Sequence, residues 1–227
     1  MPRSGVRSLP LCVATAALIS LTVPLRAACQ AAVRPLPKPV TTGGMALNEA
    51  LARRRSCRAF TDTPVTLQQI SQVCWAAQGV TEPVKGLRTA PAAMALYAVR
   101  LFVVDRTGMA EYLPKEHALR TVRDGDLLPA ARALALNPAT LGEPPVVLLL
   151  CIDPAALQAR AGAKAERFAL LEAGHVTQNI LLQVTALGLA SVPVGGVDEA
   201  KASEALRLPE GVRAVYAMPV GKARTER

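Results

Sequence analysis

Residues 144–152 read Pro-Pro-Val-Val-Leu-Leu-Leu-Cys-Ile, and this stretch decides the class of fold. The seven residues that follow the two prolines are apolar without interruption. A run of this length with no polar alternation is typical of a strand covered on both faces. The sequence therefore predicts a central strand over residues 146–152, with apolar elements packed on either side.

Apolar residues recur at helical spacing both before and after this predicted strand in the sequence. One helix is predicted over residues 45–54, and a second begins after Thr66, which stands at capping-box spacing from Gln69. We expect Gly79 to end the second helix as a left-handed cap. The longest helical pattern covers residues 167–187, and Asp198 is expected to cap a last helix through Leu206.

Further strands are predicted over residues 97–104 and 212–220, with a short extended piece at 192–194. Helices and strands interleave along one chain. The sequence therefore predicts a single α+β domain with a central mixed sheet packed by helices.

The composition supports a folded domain and excludes several other classes. A hydrophobic fraction of 51% in 227 residues excludes disorder over most of the length, and five cysteines exclude a small disulfide scaffold. Cys74 and Cys151 lie in apolar runs and are expected to be buried thiols. The spacing of the cysteines and of the two histidines matches no metal site, and no Gly-x-Ser-x-Gly elbow indicates a hydrolase.

Residues 1–31 are predicted to be a signal peptide. Arg3 and Arg7 precede an uncharged run over residues 9–25, and small residues follow, with cleavage expected near Ala28–Ala31. We therefore expect an exported protein, periplasmic or extracellular, with no membrane span after cleavage. The alternatives are an uncleaved membrane anchor and a lipoprotein modified at Cys29.

Residues 32–44 are rich in proline and end in Gly43-Gly44, which predicts an extended arm rather than a core element. The folded domain is predicted over residues 45–227. The signal segment holds three basic residues and no acidic one, so its removal lowers the formal charge from +9 to +6.

Four arginines and a serine stand together in residues 53–58. Guanidinium groups bind phosphate oxygens in pairs, so this cluster could form an anion receptor, although a solvated helix end would have the same composition. A nucleic-acid partner is not expected. One cluster is not a basic stripe, aromatics make up only 3% of the chain, and no nucleic-acid motif is present.

Two loops of small residues could let a flat ligand approach the backbone. The first covers residues 86–97 and leads into a strand, and the second covers residues 188–198 and contains Gly195-Gly196 before a helix. Either could equally be an ordinary turn. Four polar residues at helical spacing also form one face that could touch solvent, a partner or a ligand: Glu172, His175, Asn179 and Gln183.

These pieces occur in the order found in the FMN-dependent nitroreductase family, and the chain most resembles its SagB-type subgroup. The motifs that carry the resemblance are Arg54-Arg55-Ser56-Cys57-Arg58 with Phe60, Trp75-Ala76-Ala77-Gln78-Gly79, Arg88 to Tyr97, Leu171 to Asn179, Gly188 to Asp198, and Pro219-Val220-Gly221. Together they cover about residues 45–222. The resemblance implies a nitroreductase-like fold.

The resemblance also implies a cofactor and its binding residues. Arg54, Ser56 and Arg58 would hold the FMN phosphate, and Lys222 or Arg224 would add a contact. The backbone of Pro91, Ala92 and Ala93 would line the flavin, and Val194, Gly195 and Gly196 would lie near its N5 edge. No catalytic side chain is assigned, because the flavin supplies the redox chemistry.

The implied protein is an FMN-dependent oxidoreductase and a homodimer whose interface forms the flavin site. It would use a small-molecule electron donor, NAD(P)H by resemblance, and a small-molecule acceptor. Two departures stand in the first loop: Ala92 where the family often has Ser, and Met94 where the SagB type often has Gly. They motivate a rival hypothesis, an exported flavin-binding or partner-binding protein without turnover.

Overall fold

The computed structural model describes Met1 and residues 32–224. The predicted signal peptide lies outside the described residues. Within them, no helix combines the length and the hydropathy of a membrane span.

The helices are α1 (Leu47–Arg53), α2 (Leu67–Gln78), α3 (Leu128–Arg132), α4 (Ala155–Ala161), α5 (Ala165–Ala186) and α6 (Glu199–Leu206). The strands are β1 (Val33–Pro35), β2 (Val80–Glu82), β3 (Leu87–Arg88), β4 (Val99–Val104), β5 (Gly108–Leu113), β6 (Ala118–Asp124), β7 (Val146–Ile152), β8 (Ala190–Ser191) and β9 (Arg213–Gly221). Three short 3₁₀ turns lie at Ala93–Ala95, Pro138–Thr140 and Gly162–Lys164.

Seven strands form one sheet in the order β1-β6-β5-β4-β7-β9-β8, and β2 pairs with β3 apart from it. Each ladder between the described strands is antiparallel. The α+β class is confirmed, but the sheet is not mixed as predicted. The relative direction of β4, β7 and β9 depends on long connections, and nothing in the apolar pattern of a strand records its direction.

β7 confirms the predicted central strand. All seven of its residues are buried, and it pairs with β4 on one side and β9 on the other. Its side chains enter two cores in alternation. Leu148 and Leu150 pack in the core that includes α2 and α5, and Val147 and Leu149 pack in the core that includes α3 and α6. Helices therefore cover both faces of the sheet.

The helix signals are confirmed with shifts of one or two residues. In α2 the Thr66 side chain accepts from the Gln69 N–H, and the Gln69 side chain accepts from the Thr66 N–H, so both halves of the capping box are present. In α6 the Asp198 side chain accepts from Lys201 N at 3.0 Å. Cys74 and Cys151 are fully buried as predicted, and burial raises the pKa of both thiols.

Gly79 ends α2 for a different reason than the one predicted. Its φ is −59°, which is not left-handed. A Cβ at this position would lie 2.2 Å from Cδ1 of Trp75 and 2.7 Å from the Trp75 carbonyl oxygen. Glycine is therefore required by the close approach of the indole, not by the backbone angle.

Residues 105–143 contain β5, β6 and α3, which the sequence pattern does not predict. β5 begins at Gly108 and carries the charged Glu111, and β6 mixes apolar residues with arginines, so neither shows a clean apolar pattern. Glu111 is nevertheless buried, because Arg100 Nε pairs with it at 2.7 Å and Arg120 also donates to it. The two arginine hydrogen bonds outweigh burial and lower the pKa of Glu111.

The Pro-rich arm lies closer to the core than the sequence predicted. Residues Val33–Pro35 pair with β6 and add an edge strand, and Leu36 is buried. His117 links Pro37, the residue after Leu36, to α2, because its Nε2 lies 3.0 Å from Pro37 O and 2.8 Å from Ser71 Oγ. Proline is tolerated here because an edge strand leaves some N–H positions unpaired.

The steric role of Gly79 can be tested with one methyl group. We expect Gly79→Ala to lower the free energy of unfolding by about 1–3 kcal/mol, because the Trp75 ring and backbone must move. Gly174→Ala is the matched control, since nothing lies within 4 Å of its Cβ position. That change, inside a helix, should be neutral or stabilise by up to about 1 kcal/mol. Urea denaturation measures both, and equal losses would contradict the steric account.

Candidate functional site

The chain from Arg54 to Thr61 runs extended after α1 and is called here the arginine segment. Three backbone hydrogen bonds attach it to the ends of β8 and β9: Cys57 N to Ser191 O (3.0 Å), Thr61 N to Lys222 O (2.9 Å) and Arg224 N to Ala59 O (2.9 Å). The structure therefore brings the segment with Arg54, Ser56 and Arg58 beside Lys222 and Arg224, which come from the C-terminal part of the sequence.

The buried side chain of Phe60 anchors the arginine segment to the domain. Its side chain is 1% exposed. Cβ atoms at Gly142 and Gly221 would approach the Phe60 ring at 3.5 and 3.1 Å, and a Cβ at Gly142 would also lie 2.0 Å from Arg58 O. Gly142 has a φ of +61°, which favours glycine as well. Close packing of Gly142 and Gly221 against the buried Phe60 ring thus fixes the position of the segment.

The predicted phosphate-binding cations have no acidic partner among the described residues. Arg53 pairs with Glu49 at 2.7 Å, and Arg55 donates to the carbonyl oxygens of Ala52 and Arg54. No ion pair is found for Arg54, Arg58, Lys222 or Arg224 within residues 32–224. Uncompensated positive charge at one place is the electrostatic requirement of an anion site.

A cavity of about 190 Å³ lies beside this segment, lined in part by Arg54, Cys57, Thr185 and Ser191. Ser191 is 3% exposed, and its Oγ has no hydrogen-bond partner among the described residues. An unpaired buried hydroxyl costs free energy unless a ligand or water satisfies it. The donors around it are arginine and hydroxyl groups, and this chemistry fits a phosphate oxygen. Ser191 was not predicted as a site residue, because only its neighbours in the fold make it unusual.

The Val194–Gly196 turn presents free backbone donors at the edge of the sheet. Val194 and Ala217 exchange two backbone hydrogen bonds, at 3.0 and 3.1 Å, which fixes the turn to β9. The carbonyl of Gly196 accepts from Leu136 N at 2.9 Å. No acceptor is found for the N–H groups of Gly195 and Gly196 within the described part of the chain. Both residues are exposed, so a ligand could reach these donors.

The Pro91–Ala93 loop lies elsewhere on the same chain. His175 Nδ1 is 3.2 Å from the carbonyl oxygen of Pro91, which puts the loop against the middle of α5. The cavity beside the arginine segment is lined by Thr185, ten residues further along the same helix. At 1.5 Å per residue, these positions are about 15 Å apart along the axis. One chain alone does not bring Pro91–Ala93 to the arginine segment.

Met94 and Ala95 follow in this loop with φ values of +56° and +55°. The left-handed region costs about 1–2 kcal/mol for a residue other than glycine. Met94, where SagB-type proteins often have glycine, therefore stands where the backbone conformation favours glycine, and the loop is strained.

The sequence suggested that Glu172 is part of a polar helix face open to solvent, a partner or a ligand, but the structure buries it. It is 2% exposed, and its carboxylate accepts from Ala98 N (2.9 Å), Val99 N (3.3 Å) and Gln78 Nε2 (3.2 Å). It thereby joins α5 to β4 and to the end of α2. Burial raises the pKa of Glu172, against the opposing effect of these hydrogen bonds and of Arg88. No group of three or more metal-ligating side chains is found in the described residues.

The raised pKa of Glu172 predicts a pH dependence of stability. The folded state keeps the proton more tightly than the unfolded state, whose carboxyl has a pKa of about 4.3. The contribution of this proton is thus full below about pH 4.3 and is lost as pH rises through the folded pKa. Glu172→Gln should remove this fall. We would measure unfolding free energies of both proteins from pH 4 to 8, and parallel curves would contradict the assignment.

Comparisons with known proteins agree with the fold and the motifs. The sequence model of the nitroreductase family matches residues 51–222. A protein of Methanocaldococcus jannaschii with a provisional nitroreductase name is 31% identical over 182 residues, which cover 78% of this chain and 90% of that protein. The chain belongs to the nitroreductase family, as its motifs predicted.

Solved structures extend the comparison to the fold. A crystal structure from Ralstonia eutropha JMP134, also provisionally called a nitroreductase, has a TM-score of 0.80 and 29% identity, covering 86% of this chain and 90% of its own. The NADPH:FMN oxidoreductase of Vibrio harveyi, complexed with NAD⁺, has a TM-score of 0.59 and 21% identity, with 79% and 69% covered. A chain of the Escherichia coli microcin synthetase complex has a TM-score of 0.69 and 20% identity, with 83% and 77% covered. The last two share the fold.

Proposed function

We propose that this chain is an FMN-dependent oxidoreductase with an unassigned substrate. The observation that carries the proposal is the arginine segment beside the end of β9. Backbone pairing brings together two segments that carry four cations without an acidic partner among the described residues, and Ser191, whose buried hydroxyl is unpaired, is bonded to the first of these segments. The V. harveyi relative of the same fold is an NADPH:FMN oxidoreductase by name, which supports FMN as the anion.

In this proposal each group of residues has one task. Arg54, Ser56 and Arg58 bind the phosphate, with Lys222 or Arg224 as a further contact. The N–H groups of Gly195 and Gly196 orient the flavin edge, because fixed backbone donors need no rearrangement when charge develops. When bound, FMN supplies reversible hydride uptake at N5, which no side chain of the protein can supply.

We also propose that the functional unit is a homodimer. The supporting observation is the separation between Pro91–Ala93 and the arginine segment within one chain. A second copy could supply its Pro91–Ala93 loop to the arginine segment of the first. Exposed leucines on α1 and α5 offer an apolar surface for such contact: Leu47, Leu51, Leu170 and Leu171.

Three finer assignments complete the proposal. The Trp75–Gly79 motif supports a SagB-type protein, and the steric pairing of Gly79 with Trp75 gives that motif a physical reason. NAD(P)H is proposed as the electron donor, with a small molecule as the acceptor. The charge pattern of residues 1–31 supports export from the cytoplasm.

The phosphate site can be tested by removing one guanidinium. We expect Arg58→Ala to weaken FMN binding by about 1.5–3 kcal/mol, because a charge-assisted hydrogen bond is lost. Quenching of FMN fluorescence measures the affinity. Arg160→Ala is the matched control, since Arg160 is exposed on α4, which follows the end of β7 opposite to the one that pairs with Val220. Equal affinity of wild type and Arg58→Ala would refute this phosphate site.

A further inference from the structure

A second, larger cavity lies between the Pro-rich arm, α2 and the end of α5. Its volume is about 380 Å³, which falls within the range of small-molecule sites. Its walls include Gly43 and Gly44 of the arm, Trp75 of α2 and Gln183 of α5. None of the residues that line it is charged. We call it the arm cavity.

Gln72 fixes the arm to α2 and orients the amides around it. Its Oε1 accepts from Val40 N at 2.8 Å, and its Nε2 donates to Val40 O at 2.9 Å. Because a backbone N–H can only donate, this pairing determines which end of the Gln72 amide is oxygen. The remaining Nε2 hydrogen points to Gln183 Oε1, at 3.3 Å.

Two further glutamines are then left with free donors. Gln183 uses its oxygen to accept from Gln72, so its Nε2 carries two N–H groups. The Gln69 side-chain oxygen accepts from Thr66 N at 2.9 Å in the capping box. Its Nε2 therefore also carries two N–H groups that this bond does not use. No acceptor for either Nε2 is found within residues 32–224, and both side chains line the arm cavity.

Trp75 adds an aromatic wall and one more donor. Its ring is held against Gly79, and no acceptor for its indole N–H is found in the described part of the chain. An aromatic face favours a flat ring by about 0.5–1.5 kcal/mol beyond simple burial. The arm cavity thus offers a stacking surface and N–H donors, with no charge to attract an ion.

We propose that the arm cavity binds a neutral planar molecule whose ring carries carbonyl oxygens. Carbonyl oxygens pair with the free amide and indole donors, and the ring packs on Trp75. Anions are disfavoured because no cation lines the cavity to offset their desolvation. The site is separate from the arginine segment, so it goes beyond the proposed flavin function and does not require it.

The single tryptophan makes the test direct, because its indole N–H gives one signal in a ¹H–¹⁵N spectrum. The probe is N-methylphthalimide, which is neutral and flat and has two ring carbonyls. The full chain is titrated with and without bound FMN. We expect a saturable shift of the indole signal in both samples. Naphthalene, which lacks carbonyls, and phthalate, which is anionic, should bind at least about tenfold more weakly.

Gln183→Glu is the decisive variant. It keeps the oxygen that accepts from Gln72 but replaces the free amide donor with a carboxylate, so the probe should bind about three- to tenfold more weakly. Gln158→Glu is the matched control on exposed α4 and should bind as wild type does. The proposal is overturned by no indole shift, by equal binding of naphthalene, by wild-type affinity in Gln183→Glu, or by loss of the shift when FMN is added.

Discussion

The burial of β7 on both faces is the constraint on which the rest of the structure depends. Seven consecutive apolar residues cannot face water on either side, because each large aliphatic side chain contributes about 1.5–3 kcal/mol when it is buried. Alternate residues therefore require two cores, and the chain supplies α2 and α5 for one and α3 and α6 for the other. β4 and β9 satisfy the backbone of β7 along its two edges.

The candidate site follows from this arrangement because β9 ends where the arginine segment begins. Its last residues, from Lys222 to Arg224, leave the sheet and pair with the arginine segment through backbone hydrogen bonds. Val194 pairs with the same strand through Ala217, which holds the glycine turn to the sheet as well. Cations from both ends of the domain and two free N–H groups are thereby fixed to one rigid strand, with no carboxylate among the described residues to neutralise them.

The sequence predicted the parts of the fold that depend on local pattern, and missed those that depend on distant neighbours. Residues 146–152, the capping box at Thr66 and the cap at Asp198 each carry their own signal, and all are confirmed. The burial of Glu172 could not be read from its helix face, because its partners Ala98 and Gln78 lie in other elements. Gly79 shows the same limit, because glycine is required there by the close approach of the Trp75 ring and not by a left-handed backbone angle. The site residues were predicted by resemblance, and their common location depends on pairing between distant segments.

The central claim is that the arginine segment and the glycine turn hold a redox-active flavin. Its most direct test is the absorbance spectrum of the full chain after incubation with FMN and gel filtration, followed by anaerobic addition of NADH or NADPH. The account predicts a yellow protein whose flavin absorbance is lost on reduction. A protein that emerges colourless would contradict the claim, and bound flavin that resists NAD(P)H and other donors would support the rival without turnover.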